Sequence, residues 1–109
     1  MSYDVHFEID TGGTEPAIVG NDNLNNTYNC SPMFRRALGG NGINDLNGKI
    51  ASDVLPTLRV AVSHMAANPE IYTPMNPANG WGDYPTARKF LEDILLSAAA
   101  HPKATIRVS

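Results

Sequence analysis

Two segments of the chain combine amide side chains, an aromatic ring and a helix start. The first is Asn21-Asp22-Asn23-Leu24-Asn25-Asn26-Thr27-Tyr28-Asn29-Cys30-Ser31-Pro32, which runs into Met33-Phe34-Arg35-Arg36. The second is Asn76-Pro77-Ala78-Asn79-Gly80-Trp81-Gly82-Asp83-Tyr84. A carboxamide carries an acceptor and two N–H donors, and a helix N-terminus leaves backbone N–H groups free. Together these groups can grip a polar or anionic ligand. In this reading Trp81 or Tyr28 stacks on a base or ribose, and Asn26, Asn29 and Asn79 read polar edges. Arg35 or Arg36 clamps phosphate. Adjacent residues diverge by about 100° on a helix, so only one of the two arginines faces the loop. Tyr84 belongs to the second loop and completes the candidate set.

Each of these residues also has a plainer use. Asparagine favours turns, so an asparagine-rich loop can be merely self-bonded. Eleven asparagines in a chain of 109 residues exceed what turn-making usually requires. Trp81, flanked by Gly80 and Gly82, can lie flat as a stacking surface or act as a hydrophobic staple at a helix start. The arginine pair can be a solvated, partly salt-bridged surface. Cys30 beside Ser31 can have a lowered pKa at a helix N-terminus, but no histidine lies near it in sequence to act as base. His6-x-Glu8-x-Asp10 sets three possible metal ligands on one strand face, or else a solvated face with a salt-bridged histidine. No second histidine has a recognisable ligand spacing.

The elements that must position these groups are legible from periodicity. Residues 3–10 alternate, with Tyr3, Val5, Phe7 and Ile9 on one face and Asp4, His6, Glu8 and Asp10 on the other, which predicts a half-buried strand. A turn at residues 11–14 leads to a short strand over 17–19, and residues 20–31 read as a loop. Ser31 as cap and Pro32 at the first position start a short helix that carries Met33, Phe34 and Leu38 inward and stops at Gly39-Gly40. A second helix covers about 50–67, with a stripe of Val54, Leu58, Ala61, Val62 and Met65 and with Pro56 near its first turn. A third starts at a capping Asp83 and buries Ala87, Phe90, Leu91, Ile94, Leu95 and Ala98. A last strand follows over 104–108, with Ala104, Ile106 and Val108 facing the core. Its Lys103, Thr105 and Arg107 complement the acids of the first strand, which predicts that the two terminal strands pair. The expected fold is one α+β domain over residues 1–109. Its small antiparallel sheet has order 2-1-3, with two long helices and one short helix on one face.

The bulk properties narrow the partners. A net charge of −3 disfavours nonspecific nucleic acid and anionic membrane surfaces. No apolar run approaches a membrane span, and the first residues lack the pattern of a signal peptide, so a cytoplasmic location is expected. One cysteine rules out an internal disulfide and a multi-cysteine zinc site.

The string from Tyr3 to Gly13, the string from Asn79 to Tyr84 and the string from His101 to Ser109 resemble small uncharacterised proteins encoded by bacteriophages, especially those of actinobacteria. The resemblance implies a phage accessory role in the host cytoplasm. Small non-structural phage proteins often counter host defences, and one class sequesters nucleotide-derived immune signals in compact oligomers. The expectation is a non-enzymatic homo-oligomer, a dimer in the first instance, that needs no cofactor or metal and binds a small polar or nucleotide-like ligand. The alternatives are a protein–protein inhibitor of a host factor and a metal-dependent enzyme using the His6, Glu8 and Asp10 face.

Overall fold

A computed structural model describes residues 1–109, apart from the side chain of Asp22. Three strands form one antiparallel sheet: β1 (Ser2–Ile9), β2 (Ala17–Thr27) and β3 (Thr105–Val108), in the order β2-β1-β3. The alternation in β1 explains why it takes the centre. Tyr3, Val5 and Phe7 are buried on the helix side, while Asp4 stays exposed. Phe7 lies opposite Ile106, and both are fully buried. On the other face Arg107 Nε donates to Glu8 Oε1 at 2.7 Å, the acid–base pairing expected between the terminal strands.

Four helices complete the fold: α1 (Ser31–Leu38), α2 (Ala51–Ala67), α3 (Pro69–Tyr72) and α4 (Tyr84–Ala100). The two long helices, α2 and α4, are packed against each other. Leu58, Ala61 and Met65 of α2 and Ala87, Phe90, Leu91, Ile94 and Ala98 of α4 are buried, following the predicted stripes. Asp83 caps α4, its Oδ1 accepting from Thr86 N at 2.9 Å. Met33 and Phe34 of α1 join the same core, where the Phe34 ring meets Phe90 at 5.6 Å and Tyr3 at 5.9 Å between centroids. Burying each such large apolar side chain is worth about 1.5–3 kcal/mol, so this one cluster supplies most of the driving force.

Two expectations need correction. Ser31 does not cap α1; its hydroxyl bonds Tyr28 O and Tyr3 OH instead, and the cap position is Cys30. The larger change is in β2. It does not end at Val19 but runs on through the asparagine-rich segment to Thr27. The ladder pairs Phe7–Ile9 with Ala17–Val19 and Ser2–Val5 with Leu24–Thr27, so residues 20–23 bulge out opposite His6. Gly20 permits this with φ of +74°, and a Cβ there would lie 3.2 Å from His101. Beyond the bulge the asparagines obey strand alternation: Leu24 and Asn26 point inward and Asn25 outward. Asparagine's turn preference is thus spent on the bulge, where Asn21 Oδ1 accepts from Asn23 N, and overridden by sheet pairing after it.

The sheet has one open edge. Gly48 N donates to Ile106 O, Lys49 O accepts from Ile106 N, and Asn47 Oδ1 accepts from Val108 N, so the segment before α2 covers β3. Among the described residues no backbone segment is hydrogen-bonded along the outer edge of β2, although Thr86, Lys89 and Asp93 of α4 lie beside Asn23–Asn25.

Candidate functional site

The ladder decides which way the backbone of β2 faces. Tyr28 N donates to Met1 O at 3.2 Å, so the opposed pairs Tyr3–Asn26 and Val5–Leu24 are the hydrogen-bonded ones. Asn25 and Thr27 alternate with them and turn their N–H and C=O groups away from β1. Asp4, opposite Asn25, correspondingly turns to the other neighbour, exchanging both backbone bonds with Ser109 at 2.9 Å. Asn25 therefore presents a backbone donor–acceptor pair at the open edge and Thr27 a further N–H, its C=O being taken by the 3-10 turn over Tyr28–Cys30.

Those same residues line a groove of about 520 Å³, together with Met1, Ser2, Asn29 and Trp81. Trp81 is 70 % exposed, the only tryptophan and the most exposed aromatic ring of the chain. Gly80 and Gly82, at φ +76° and +95°, carry the backbone around it, and Trp81 N donates to Asn79 Oδ1 at 2.9 Å. Gly82 joins the two loops. A Cβ at that position would lie 2.5 Å from Thr27 Cγ2 and 2.8 Å from Cys30 Sγ, so only glycine lets the chain pass there.

The amides on the groove are oriented by their own bonds. Asn25 Nδ2 donates to Asp4 Oδ1 at 2.8 Å and to Ser2 Oγ at 3.1 Å. A carboxylate can only accept, so the carboxamide orientation is forced and Asn25 Oδ1 is left as a spare acceptor. Asn29 uses its backbone N–H and Nδ2 on Thr27 Oγ1, at 3.3 and 3.1 Å.

The candidate residues divide cleanly. Asn29 and Trp81 share the groove, and Asn79 holds the Trp81 loop. Tyr28 is half-buried, its ring 4.5 Å from that of Tyr3. Asn26 faces the core at 4 % exposure, with Oδ1 buried and unpartnered among the described residues. Tyr84 is buried too: it stacks on Tyr72, its hydroxyl donates to Met65 O, and Arg88 lies over its ring. Arg35 and Arg36 are exposed on α1 and neither lines the groove. Sequence proximity to the asparagines misled here, because α1 turns away to bury Met33 and Phe34. The segment Asn25–Asn29 and Trp81 lie together, as expected if the two loops share a pocket, but Met1 and Ser2 were not foreseen, and Asn25 and Thr27 entered only as part of a loop over residues 20–31. Strand alternation across Leu24 and Asn26 was the signal that would have found Asn25 and Thr27.

Chemistry elsewhere is tied up. Burial raises the Cys30 thiol pKa, as does nearby Asp83, so this is not an activated nucleophile. His64 Nδ1 is bonded to the Tyr72 hydroxyl at 2.6 Å. Glu8 accepts from Arg107 and pairs with His6 Nε2 at 3.2 Å, and Asp10 Oδ1 accepts from Gly12 N. Among the described residues no three histidine, cysteine or carboxylate side chains converge as a metal site, and no helix is long and apolar enough to cross a membrane.

Comparison of the chain with protein-family models, with curated proteins and with solved structures returned no match.

Proposed function

We propose that this is a non-enzymatic binding protein whose groove at Trp81 holds a small polar, nucleotide-like ligand. The exposure of Trp81 carries this reading. A ring of that size left 70 % in water gains nothing for folding, whereas a flat π-surface beside oriented amides suits stacking of a planar ligand. The absence of an activated nucleophile–base pair among the described residues supports binding rather than turnover. In the phage setting that the sequence resembles, the role is sequestration of a nucleotide-derived immune signal of the host. Native mass spectrometry of the protein recovered from infected-cell lysate tests it. A retained small molecule, lost in Trp81→Ala, is the expected result; protein that emerges without one and stays unresponsive to added nucleotides would reject it.

The open edge of β2 favours a second reading, docking of another chain. Edge strands are normally guarded by lysine or proline, and residues 17–31 contain neither. Strand addition there would serve a homodimer or an inhibitor of a host protein. Sedimentation at micromolar concentration reports the first, and a strict monomer counts against it.

A further inference from the structure

We propose that Asn79 is a site of spontaneous self-modification: it cyclises onto the Gly80 amide and leaves an aspartyl or isoaspartyl residue next to Trp81. This chemistry needs no ligand in the groove. A side-chain amide is most open to attack by the next backbone nitrogen when that residue is glycine, which brings no Cβ into the path. The chain has three such pairs, Asn41-Gly42, Asn47-Gly48 and Asn79-Gly80. All three glycines have positive φ, so backbone conformation does not distinguish them. Their bonds do.

Gly48 N donates to Ile106 O at 2.7 Å, and Asn47 Oδ1 accepts from Val108 N at 3.0 Å, so both reacting groups of that pair are held on β3. Gly42 is buried, and its N donates to Gly39 O at 2.9 Å. A Cβ there would lie 3.1 Å from Arg35 N, so α1 leaves this peptide no room to turn. Asn41 N and Nδ2 are also both bonded to the Asp45 carboxylate. The third pair is different. Asn79, Gly80 and Trp81 are exposed, and nothing lies within 4 Å of where a Gly80 Cβ would be. Gly80 N makes the longest of the three amide bonds, 3.2 Å to Pro77 O. Trp81 N donates to Asn79 Oδ1 at 2.9 Å, and the ring this bond closes contains both Asn79 Cγ and the Gly80 nitrogen. An N–H therefore already points at the oxygen on which charge develops. Hydroxide takes the Gly80 amide proton, the nitrogen bonds to Asn79 Cγ, and Nδ2 leaves as ammonia with a proton from water. Water then opens the cyclic imide. Breaking the new Cγ–N bond gives aspartate. Breaking the original peptide C–N bond gives isoaspartate, with an extra carbon in the main chain of the Trp81 loop. Either product places a new negative charge beside the groove.

The full chain is aged in mildly alkaline buffer, folded and in urea. Peptide mapping by mass spectrometry, with fragmentation that separates aspartate from isoaspartate, follows each asparagine. In urea, where none of these bonds holds, the three pairs should convert within about threefold of one another. Folding should slow Asn41 and Asn47 by about tenfold or more, because their bonds must first open. It should slow Asn79 by no more than about threefold. Asn79→Gln should abolish conversion at that position and leave the other two unchanged. Asn41 or Asn47 converting level with or ahead of Asn79 in the folded chain overturns the proposal. So does an Asn79 that folding protects as well as it protects the other two.

Discussion

Gly82 lies so close to Cys30 that the chain has room for a hydrogen but not a methyl group between them, a Cβ falling 2.8 Å from the sulfur. The contact locks the Trp81 loop to the end of β2. Gly82→Ala adds this overlap to the strain of φ +95°, and should destabilise the fold by about 1–3 kcal/mol. The thiol gives an independent readout. Cys30 is fully buried, with its pKa raised chiefly by desolvation, so the parent protein should react with a thiol reagent only as fast as it opens. The variant should be labelled faster under native conditions. Equal labelling rates and equal urea midpoints would show that the loop yields without cost.

Trp81 separates binding from folding. Its exposure excludes the staple role that a buried ring at a helix start would play. Trp81→Ala should change unfolding free energy by no more than about 0.5 kcal/mol in urea titration. The same substitution should cost about 1–3 kcal/mol in ligand binding measured by calorimetry. A large loss of stability with binding intact would return the ring to a structural role.

The pair of Glu8 and Arg107 makes stability depend on acid. The hydrogen bond from Arg107, then that with His6, holds the Glu8 carboxyl below its ordinary value of 4.5. A depressed pKa contributes stability that is complete above the ordinary value and lost as pH falls through the lower, folded one. Asp83 behaves alike, lowered from 3.8 by its bonds to Thr86. Urea midpoints should therefore drop as pH falls below about 4.5. Arg107→Ala should flatten the part due to Glu8 and leave the part due to Asp83. An acid limb unchanged by Arg107→Ala would remove the pair from the account.

Asn26 offers the opposite kind of test. Its carbonyl oxygen is buried with no protein partner among the described residues, which costs about 1–3 kcal/mol relative to a paired one. Asn26→Leu should leave stability equal or raise it, since Leu24 and Tyr3 already make that face apolar. Thermal unfolding decides. A fall of several degrees would mean that the amide is satisfied by water or has work to do in the site.

How far the sequence speaks is clearest in the two halves of β2. The alternation of Tyr3, Val5 and Phe7 and the stripes on α2 and α4 need no context, because burial alone imposes their periods. The strand order followed from charge, and Glu8 with Arg107 bears it out. The stretch from Gly20 to Thr27 was opaque. Its four asparagines read as turns, and only pairing with β1 turns the latter part into strand. The site shared that fate: Trp81 between two glycines stood out, whereas Asn25 and Thr27 are marked only by the short alternation of Leu24 and Asn26, which the turn preference of the asparagines hides. Arg35, Arg36 and Tyr84 were placed by chain proximity, and the direction of a helix or the pull of a core overrode it.

The central strand precedes both of its neighbours in the chain, and β3 follows it by nearly the whole domain. Glu8 and Arg107 are 99 residues apart in the chain, and β3 comprises only Thr105–Val108. While the chain is being synthesised, β1 can find β2 at once but must wait with its other edge bare until nearly all of residues 1–109 have been made. The pairing of β1 with β3 is a long-range event of the kind that slows folding. Removal of residues 105–109 would take only Ile106 from the hydrophobic core, yet it would leave β1 with an unpaired edge, the kind of edge that templates aggregation.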